Sequence, residues 1–262
     1  AKIPDILLFG GIVVSHESER IINAAIENEK NKYGANCLPI KWNMRDLKSV
    51  YKKRDQLKTY KALIRYSQDW RKHIFEGVAD TDCSLIVACI EAHSARRGTI
   101  KDSKDKLAGY VFANGLQRYG MHVKETNVSL AEIVLDWPDK GQPKPFDREY
   151  EAAYIRGTTI DGIDYHCGSL KDIGFYDSPL YARMNLCNLL QLSDLIIGAT
   201  GEFIKCALEK KPAGFGVDVL RLIVDKFRGY PKDIMRRGLI LSSDSKIVKD
   251  SIRAKFKELF VL

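Results

Sequence analysis

The run Leu189-Leu190-Gln191-Leu192-Ser193-Asp194-Leu195-Ile196-Ile197-Gly198 sets one carboxylate in a segment that is apolar on every helical face. A helix of that composition is buried, so Asp194 is either buried or lines a cleft. A bare carboxylate there is costly unless it is hydrogen-bonded, paired with a cation, neutralised by an upward pKa shift or bound to a metal. Gln191 lies about one turn earlier and can share the polar spot. The plainer alternative is a helix-interior Asp satisfied by an Arg or Lys from another element. A second carboxylate, Asp136, directly follows Ile133-Val134-Leu135, at the strand end where α/β proteins build their sites. Its alternative role is to cap the turn into Trp137-Pro138. Asp177, in Phe175-Tyr176-Asp177-Ser178-Pro179, follows the same logic. Asp177 or Ser178 can instead cap a helix, and for Ser178 capping is the stronger reading. Carboxylates meeting at strand ends and on a facing helix are what Mg²⁺ or Mn²⁺ needs, because hard divalent ions take oxygen ligands. In a two-metal site such ions clamp the attacking and leaving oxygens of a phosphodiester displacement.

Other residues offer less. His93 follows a strand and precedes Arg96-Arg97, a basic pair suited to phosphate, although a loop histidine explains it more simply. His166 and Cys167 are adjacent, and neighbours in an extended chain point to opposite faces, so they make no catalytic dyad. Gly10-Gly11 lacks both the Gly-x-Gly-x-x-Gly spacing and a following lysine, which excludes a phosphate-cradling loop of that kind. The span from Arg45 to Lys72 carries Lys48, Lys52, Lys53, Arg54, Lys58, Lys61 and Arg65. It reads either as a nucleic-acid surface or as an ordinary solvated helix face. A net charge of +8 leans toward an anionic partner such as nucleic acid.

The elements that must position these residues follow from periodicity. Ile6 to Val14 is apolar throughout and reads as a strand covered on both faces, central in its sheet. Ser15 then caps a helix with Glu17 and Glu19 in its first turn, ending near Tyr33-Gly34. Arg45 to Phe75 is a long basic helical region with Leu47, Val50, Tyr51, Leu57, Tyr60, Leu63, Ile64 and Trp70 as its buried stripe. Leu85 to Ile90 reads as a second buried strand. A helix follows from Lys106 to Tyr119, closed by Gly120, and a third strand runs from Ala131 to Leu135. Lys140 to Phe146 reads as a loop, Asp147 to Arg156 as a helix, and Ile173 to Phe175 as a fourth strand. Leu186 to Leu208 is the least ambiguous helix. The tail after Gly214 reads as helical and basic, with Phe256, Leu259, Phe260 and Leu262 packing back on the body. Strands alternating with helices predict an α/β fold with a mixed or mainly parallel sheet flanked by helices.

At 262 residues, 45 % hydrophobic and 29 % charged, the chain has the balance of one large globular domain. The six cysteines form no Cys-x-x-Cys pair and read as reduced core or near-core thiols. No stretch approaches the roughly 20 apolar residues of a membrane span, so the expected location is cytoplasmic, away from membranes.

Three pieces resemble a known family: Phe9-Gly10-Gly11-Ile12-Val13-Val14, Ile133-Val134-Leu135-Asp136, and Phe175-Tyr176-Asp177-Ser178 through Leu190-Gln191-Leu192-Ser193-Asp194-Leu195-Ile196-Ile197-Gly198-Ala199. Together with Lys41-Trp42 they are similar to the prokaryotic domain-of-unknown-function family 3800. Ser193 stands where that family usually has alanine, and its opening Asp-Glu-Ser-Gly or Asp-Asp-Ser-Gly strand has no counterpart ahead of Phe9 in this sequence. The resemblance covers roughly the first 200 positions and implies a ribonuclease-H-like domain over residues 1–210; the tail, 211–262, lies outside the match and reads as a helical basic extension packed on it. It also implies divalent metal, Mg²⁺ or Mn²⁺, held by Asp136 and Asp194 with Asp177 as accessory, for nuclease chemistry in prokaryotic defence or mobile-element biology. The expected partner is nucleic acid, contacted by Lys52, Lys53, Arg54, Arg96 and Arg97, with a protein partner or a second copy as a further possibility. The competing expectation is a catalytically silent subunit that uses the same fold to hold nucleic acid or a protein. A hydrolase built on His93 or His166 lacks a partnered nucleophile.

Overall fold

In the computed structural model, residues 6–91, 100–137, 144–243 and 245–260 are described. The elements in chain order are β1 (Ile6–Val14), α1 (His16–Lys32), α2 (Lys48–Lys53), α3 (Leu57–Arg65), α4 (Ser67–Ala79), β2 (Cys83–Glu91), α5 (Ile100–Thr126), β3 (Val134–Asp136), α6 (Lys144–Arg156), β4 (Leu180–Ala182), α7 (Asn188–Glu209), α8 (Phe215–Leu222), α9 (Ile234–Arg237), β5 (Leu239–Ser242) and α10 (Lys246–Phe260). This is a mixed α/β architecture in which helices outweigh a small sheet. Among the described residues, no helix is long and apolar enough to cross a membrane.

β1 forms over the apolar run the sequence marks, and Ser15 ends it by capping α1, its hydroxyl accepting the Ser18 N–H at 3.1 Å. β1 pairs antiparallel with β2 along its whole length, from Ile6 opposite Glu91 to Val14 opposite Cys83. A side chain at Gly10 would put its Cβ 2.3 Å from the Ile86 carbonyl oxygen, so this close approach requires glycine. β2 pairs on its other side with β5, in parallel, giving the order β1-β2-β5. The central strand is therefore β2. The expectation of a central β1 is corrected: among the described residues β1 is an edge strand, and its apolar character reflects helices α5 and α7 packing on it. β3 and β4 form a separate parallel pair, prolonged by a bridge between Ala131 and Phe175.

The main core gathers α1, α4, α7, α8 and α10 against one sheet face, with Ile22, Trp70, Phe75, Leu85, Leu195 and Phe203 buried. A second core under α5, α6 and β3 holds Phe112, Leu116, Tyr150 and Phe175, and Phe9 of β1 packs against it. A buried polar knot ties α1 to α7. The Lys30 ammonium donates to Glu27 at 2.7 Å and to the Asn188 side-chain oxygen at 3.1 Å, while the Asn188 amide donates to Glu27 at 2.9 Å.

Several boundaries differ from the periodicity reading, each for a local reason. The basic region is three helices with a break at Asp55, which takes the left-handed φ of 54°. In its expected stripe, Ile64 is exposed. Helix α5 runs through Gly120 to Thr126; that glycine is a packing contact, because a Cβ there would meet the Cys167 sulfur at 2.7 Å. Helix α6 starts at Lys144, inside the expected loop, with Pro145 in the first turn where its missing N–H costs nothing. The fourth strand is Leu180–Ala182. The chain before Phe175 makes a 3-10 turn, Leu170–Ile173, that Gly174 ends with φ 91°. The tail read as helical contains β5, whose Leu239-Ile240-Leu241 completes the edge of the main sheet. Its Phe256, Leu259 and Phe260 pack on the core, and Leu262 lies outside the described residues. All described cysteines are free, and Cys37 is exposed, against the expectation of core or near-core placement. It sits in a loop at φ 54° beyond the end of α1.

Candidate functional site

Asp136 closes β3, and the next stretch of the network begins at its side chain: the Met184 N–H donates to Asp136 Oδ1 at 2.9 Å. Met184 opens a 3-10 turn, Met184–Leu186, that leads into α7. Its carbonyl accepts from Gln191 Nε2 at 3.0 Å, and Gln191 Oε1 accepts the Ile40 N–H at 3.1 Å. Gln191 is buried, and these two bonds satisfy both ends of its amide. Two residues beyond Ile40, the Trp42 N–H donates to Asp194 Oδ2 at 2.7 Å. The end of β3, the turn at Met184, the first turns of α7 and the segment at residues 40–42 are thus one polar network. Asp136 and Asp194 stand at its two ends, and Gln191 bridges them as its spacing on the helix suggests.

Asp194 is half-buried, and its carboxyl titrates above the ordinary aspartate range. Burial is the largest cause. The Trp42 N–H and the Lys41 charge oppose it, whereas the negative charges of Asp46 and Asp136 add to it. The two carboxylates therefore lie within Coulombic reach of each other. The direct partner of Asp194 is a backbone N–H, with Lys41 acting at longer range, rather than the paired Arg or Lys of the plainer sequence reading.

Trp42 is half-buried and held by several partners. Its indole N–H donates to Glu202 Oε1 at 3.0 Å, its ring stacks on Phe215 at 6.1 Å, and Arg71 lies 4.7 Å from the ring centroids of both Trp42 and Trp70. Arg71 also donates to the Trp42 carbonyl. Although it falls inside the basic span 45–72, it is buried, and desolvation brings its pKa down to about 10 against the pull of Glu202 and Asp194. Gly198 explains the small residue after Asp194: a Cβ there would sit 2.1 Å from Trp42 Cγ. The sequence signal for this packing is the pairing of Lys41-Trp42 with a glycine one turn beyond Asp194.

Asp177 lies elsewhere. It lines a concavity of about 410 Å³ with Asp147, Tyr150, Glu151 and Tyr154, a hollow that neither Asp136 nor Asp194 lines. Ser178 caps no helix: its hydroxyl donates to the Pro179 carbonyl at 3.3 Å, and the chain continues directly into β4. The helix-cap reading of Asp177 and Ser178 is corrected, because Pro179 and β4 keep the chain extended there. Lys52, Lys53 and Arg54 are exposed, with Arg54 donating to the Cys37 carbonyl at 3.3 Å. Arg96, Arg97 and His93 lie outside the described residues. His166 is exposed while Cys167 is buried, so the two do not share a face.

For a divalent cation the donor set fits in a limited way. Each of Asp136 and Asp194 commits one oxygen to a backbone N–H and retains the other. Among the described residues, no group of three His, Cys, Asp or Glu comes together. Two carboxylates suit Mg²⁺, which keeps several waters and is commonly bound by one or two carboxylates plus substrate phosphates. The chain matches no family model, and no curated protein and no solved structure is significantly similar to it.

Proposed function

We propose that the protein is a divalent-metal-dependent nuclease of ribonuclease-H-like fold, with Asp136 and Asp194 as the residues that hold Mg²⁺ or Mn²⁺. The observation that carries this reading is the chain of hydrogen bonds and short backbone links that runs from Asp136 through Met184, Gln191, Ile40 and Trp42 to Asp194. A divalent cation held by both carboxylates would offset the burial that raises the Asp194 pKa. A bound divalent ion supplies charge stabilisation at the scissile phosphate and activates water. The residues of the chain hold the carboxylates in place: the Trp42 and Met184 N–H groups orient one oxygen of each, and Gln191 sets the distance between the segments that carry those N–H groups. Lys52, Lys53 and Arg54 supply an exposed basic surface for the substrate. Asp177, in its own hollow, is left with an accessory role at most.

The second reading is a catalytically silent nucleic-acid- or protein-binding subunit of the same fold. It is favoured by the structural work both aspartates already do as acceptors for backbone N–H groups. A cleavage assay separates the two, using labelled single- and double-stranded DNA and RNA with Mg²⁺ or Mn²⁺ and comparing the protein with Asp136→Ala and Asp194→Ala. Metal-dependent cleavage lost in both variants supports the nuclease. Salt-sensitive binding without cleavage, retained by both variants, moves the assignment to the silent subunit.

A further inference from the structure

Four arginines gather where the last turns of α5 meet the segment around α9. Arg228 is buried, and its guanidinium donates through Nη2 to Glu125 at 2.7 Å. Glu125 also faces Arg237 Nη1 at 3.6 Å, Arg237 Nε lies 3.3 Å from Asp233, and Arg236 Nε lies 3.9 Å from Asp233. Arg118, one face along α5, donates to the Met121 sulfur at 3.3 Å and is within Coulombic reach of Arg228, Arg236 and Arg237. The cluster thus sets four permanent cations against the carboxylates of Glu125 and Asp233, with Asp82 as a third within reach of His122. His122 beside them is held toward its neutral form by burial and by the Arg228 charge, against the pull of Glu125 and Asp82, so it adds no further cation.

Arg228 carries the strongest signal. Its Nε and Nη1 are buried and have no hydrogen-bond acceptor among the described residues. Unsatisfied buried donors on a charged group are among the costliest features of a fold, and one carboxylate cannot serve a five-donor guanidinium and its neighbours. A tetrahedral oxyanion can, because it brings more acceptor oxygens and up to two negative charges to a site of net positive charge. Glu125 is 43 % exposed near the end of α5, so its carboxylate can swing out and cede Arg228 to an incoming anion.

We propose that Arg118, Arg228, Arg236 and Arg237 form a binding site for a phosphate group, with the Glu125 carboxylate as its intramolecular competitor. The site shares no residue with the Asp136 and Asp194 network and stands independently of the nuclease reading. The phosphate can belong to a free phosphate or phosphomonoester or to the phosphodiester backbone of a nucleic acid.

The test is a set of thermal melts of the whole protein in inorganic phosphate against chloride at matched ionic strength, repeated with a 12-nucleotide single-stranded DNA. Phosphate should raise the melting temperature of the protein beyond chloride. Arg118→Gln, at a partly exposed position, should weaken the apparent phosphate affinity about tenfold, the low end of a charge-assisted hydrogen bond. Glu125→Gln should melt lower in chloride and recover in phosphate, binding it more tightly than the original protein does; a purely structural Glu125 would give the loss without the recovery. A response to the oligonucleotide that Arg118→Gln also weakens assigns the site to phosphodiesters, and a response to inorganic phosphate alone assigns it to free phosphate or a monoester. Equal melts in phosphate and chloride, or a response that Arg118→Gln leaves unchanged, overturn the proposal.

Discussion

Gly198→Ala should destabilise the protein even though alanine is the better helix former. The added methyl would stand 2.1 Å from Trp42 Cγ, 2.4 Å from its Cβ and 2.6 Å from its Cδ1, and no retained position of the indole accommodates it. Trp42 has little room to retreat, being bonded to Asp194 and Glu202 and stacked against Arg71 and Phe215. Overpacking of this kind costs about 1 to 3 kcal/mol, and weakening the Trp42 N–H bond to the Asp194 carboxylate adds about 1.5 to 3 kcal/mol. The gain in helix propensity returns about 1 kcal/mol, leaving a net loss of about 1.5 to 5 kcal/mol. At roughly 2 to 4 °C per kcal/mol for a chain of this size, the melting temperature should fall by about 3 to 20 °C. Calorimetry or circular dichroism reads this directly, and the indole fluorescence should change with it. A melt within about 2 °C of the original, or a higher one, would refute the packing of Trp42 on α7 and with it the position of Asp194.

Asp194→Asn tests the electrostatics. Because the folded pKa of Asp194 is raised above its ordinary 3.8, the folded state binds more protons just above that pH, so this group makes stability fall as pH rises through the window. Urea titrations between pH 4 and 6 should show that slope reduced in the asparagine variant; an unchanged slope would mean that Asp194 is not desolvated. Asn188→Ala removes an acceptor from the buried Lys30 ammonium and a donor to Glu27, and should cost about 1 to 3 kcal/mol in chemical denaturation; a loss under about 0.5 kcal/mol would show the knot to be open to water. If the face at Lys52, Lys53 and Arg54 contacts nucleic acid, changing all three to Gln should lower the slope of log affinity against log salt by about 2 to 3 for a duplex, and an unchanged slope would place the nucleic acid elsewhere.

The parts of the fold legible in the sequence are those whose signal is local. β1, α1 with its Ser15 cap, β2 and α7 each carry a periodicity or a capping residue that needs no knowledge of neighbours. β5 was not legible, since four residues acquire strand character only from pairing with β2. The edge position of β1 was equally hidden, because apolar residues report covered faces and not the number of strands beside them. Gly120 reads as a helix stop in isolation, and only the Cys167 sulfur lying against it reveals a packing contact. In the candidate site, Asp136, Gln191 and Asp194 stood out by chemistry misplaced in apolar runs. The backbone donors that join them, at Ile40, Trp42 and Met184, have no side-chain signature at all. The arginine cluster has no sequence signature for the opposite reason: in a chain with 42 Lys and Arg residues, one buried guanidinium looks like any other.

Mn²⁺ binding followed by electron paramagnetic resonance tests, without requiring a substrate, whether Asp136 and Asp194 jointly hold a divalent ion. A shared site gives saturable Mn²⁺ binding that Mg²⁺ displaces and that both Asp136→Asn and Asp194→Asn abolish or weaken at least about tenfold while their melts show folded protein. Mn²⁺ binding left intact in either folded variant would contradict it, as would no binding by the unsubstituted protein.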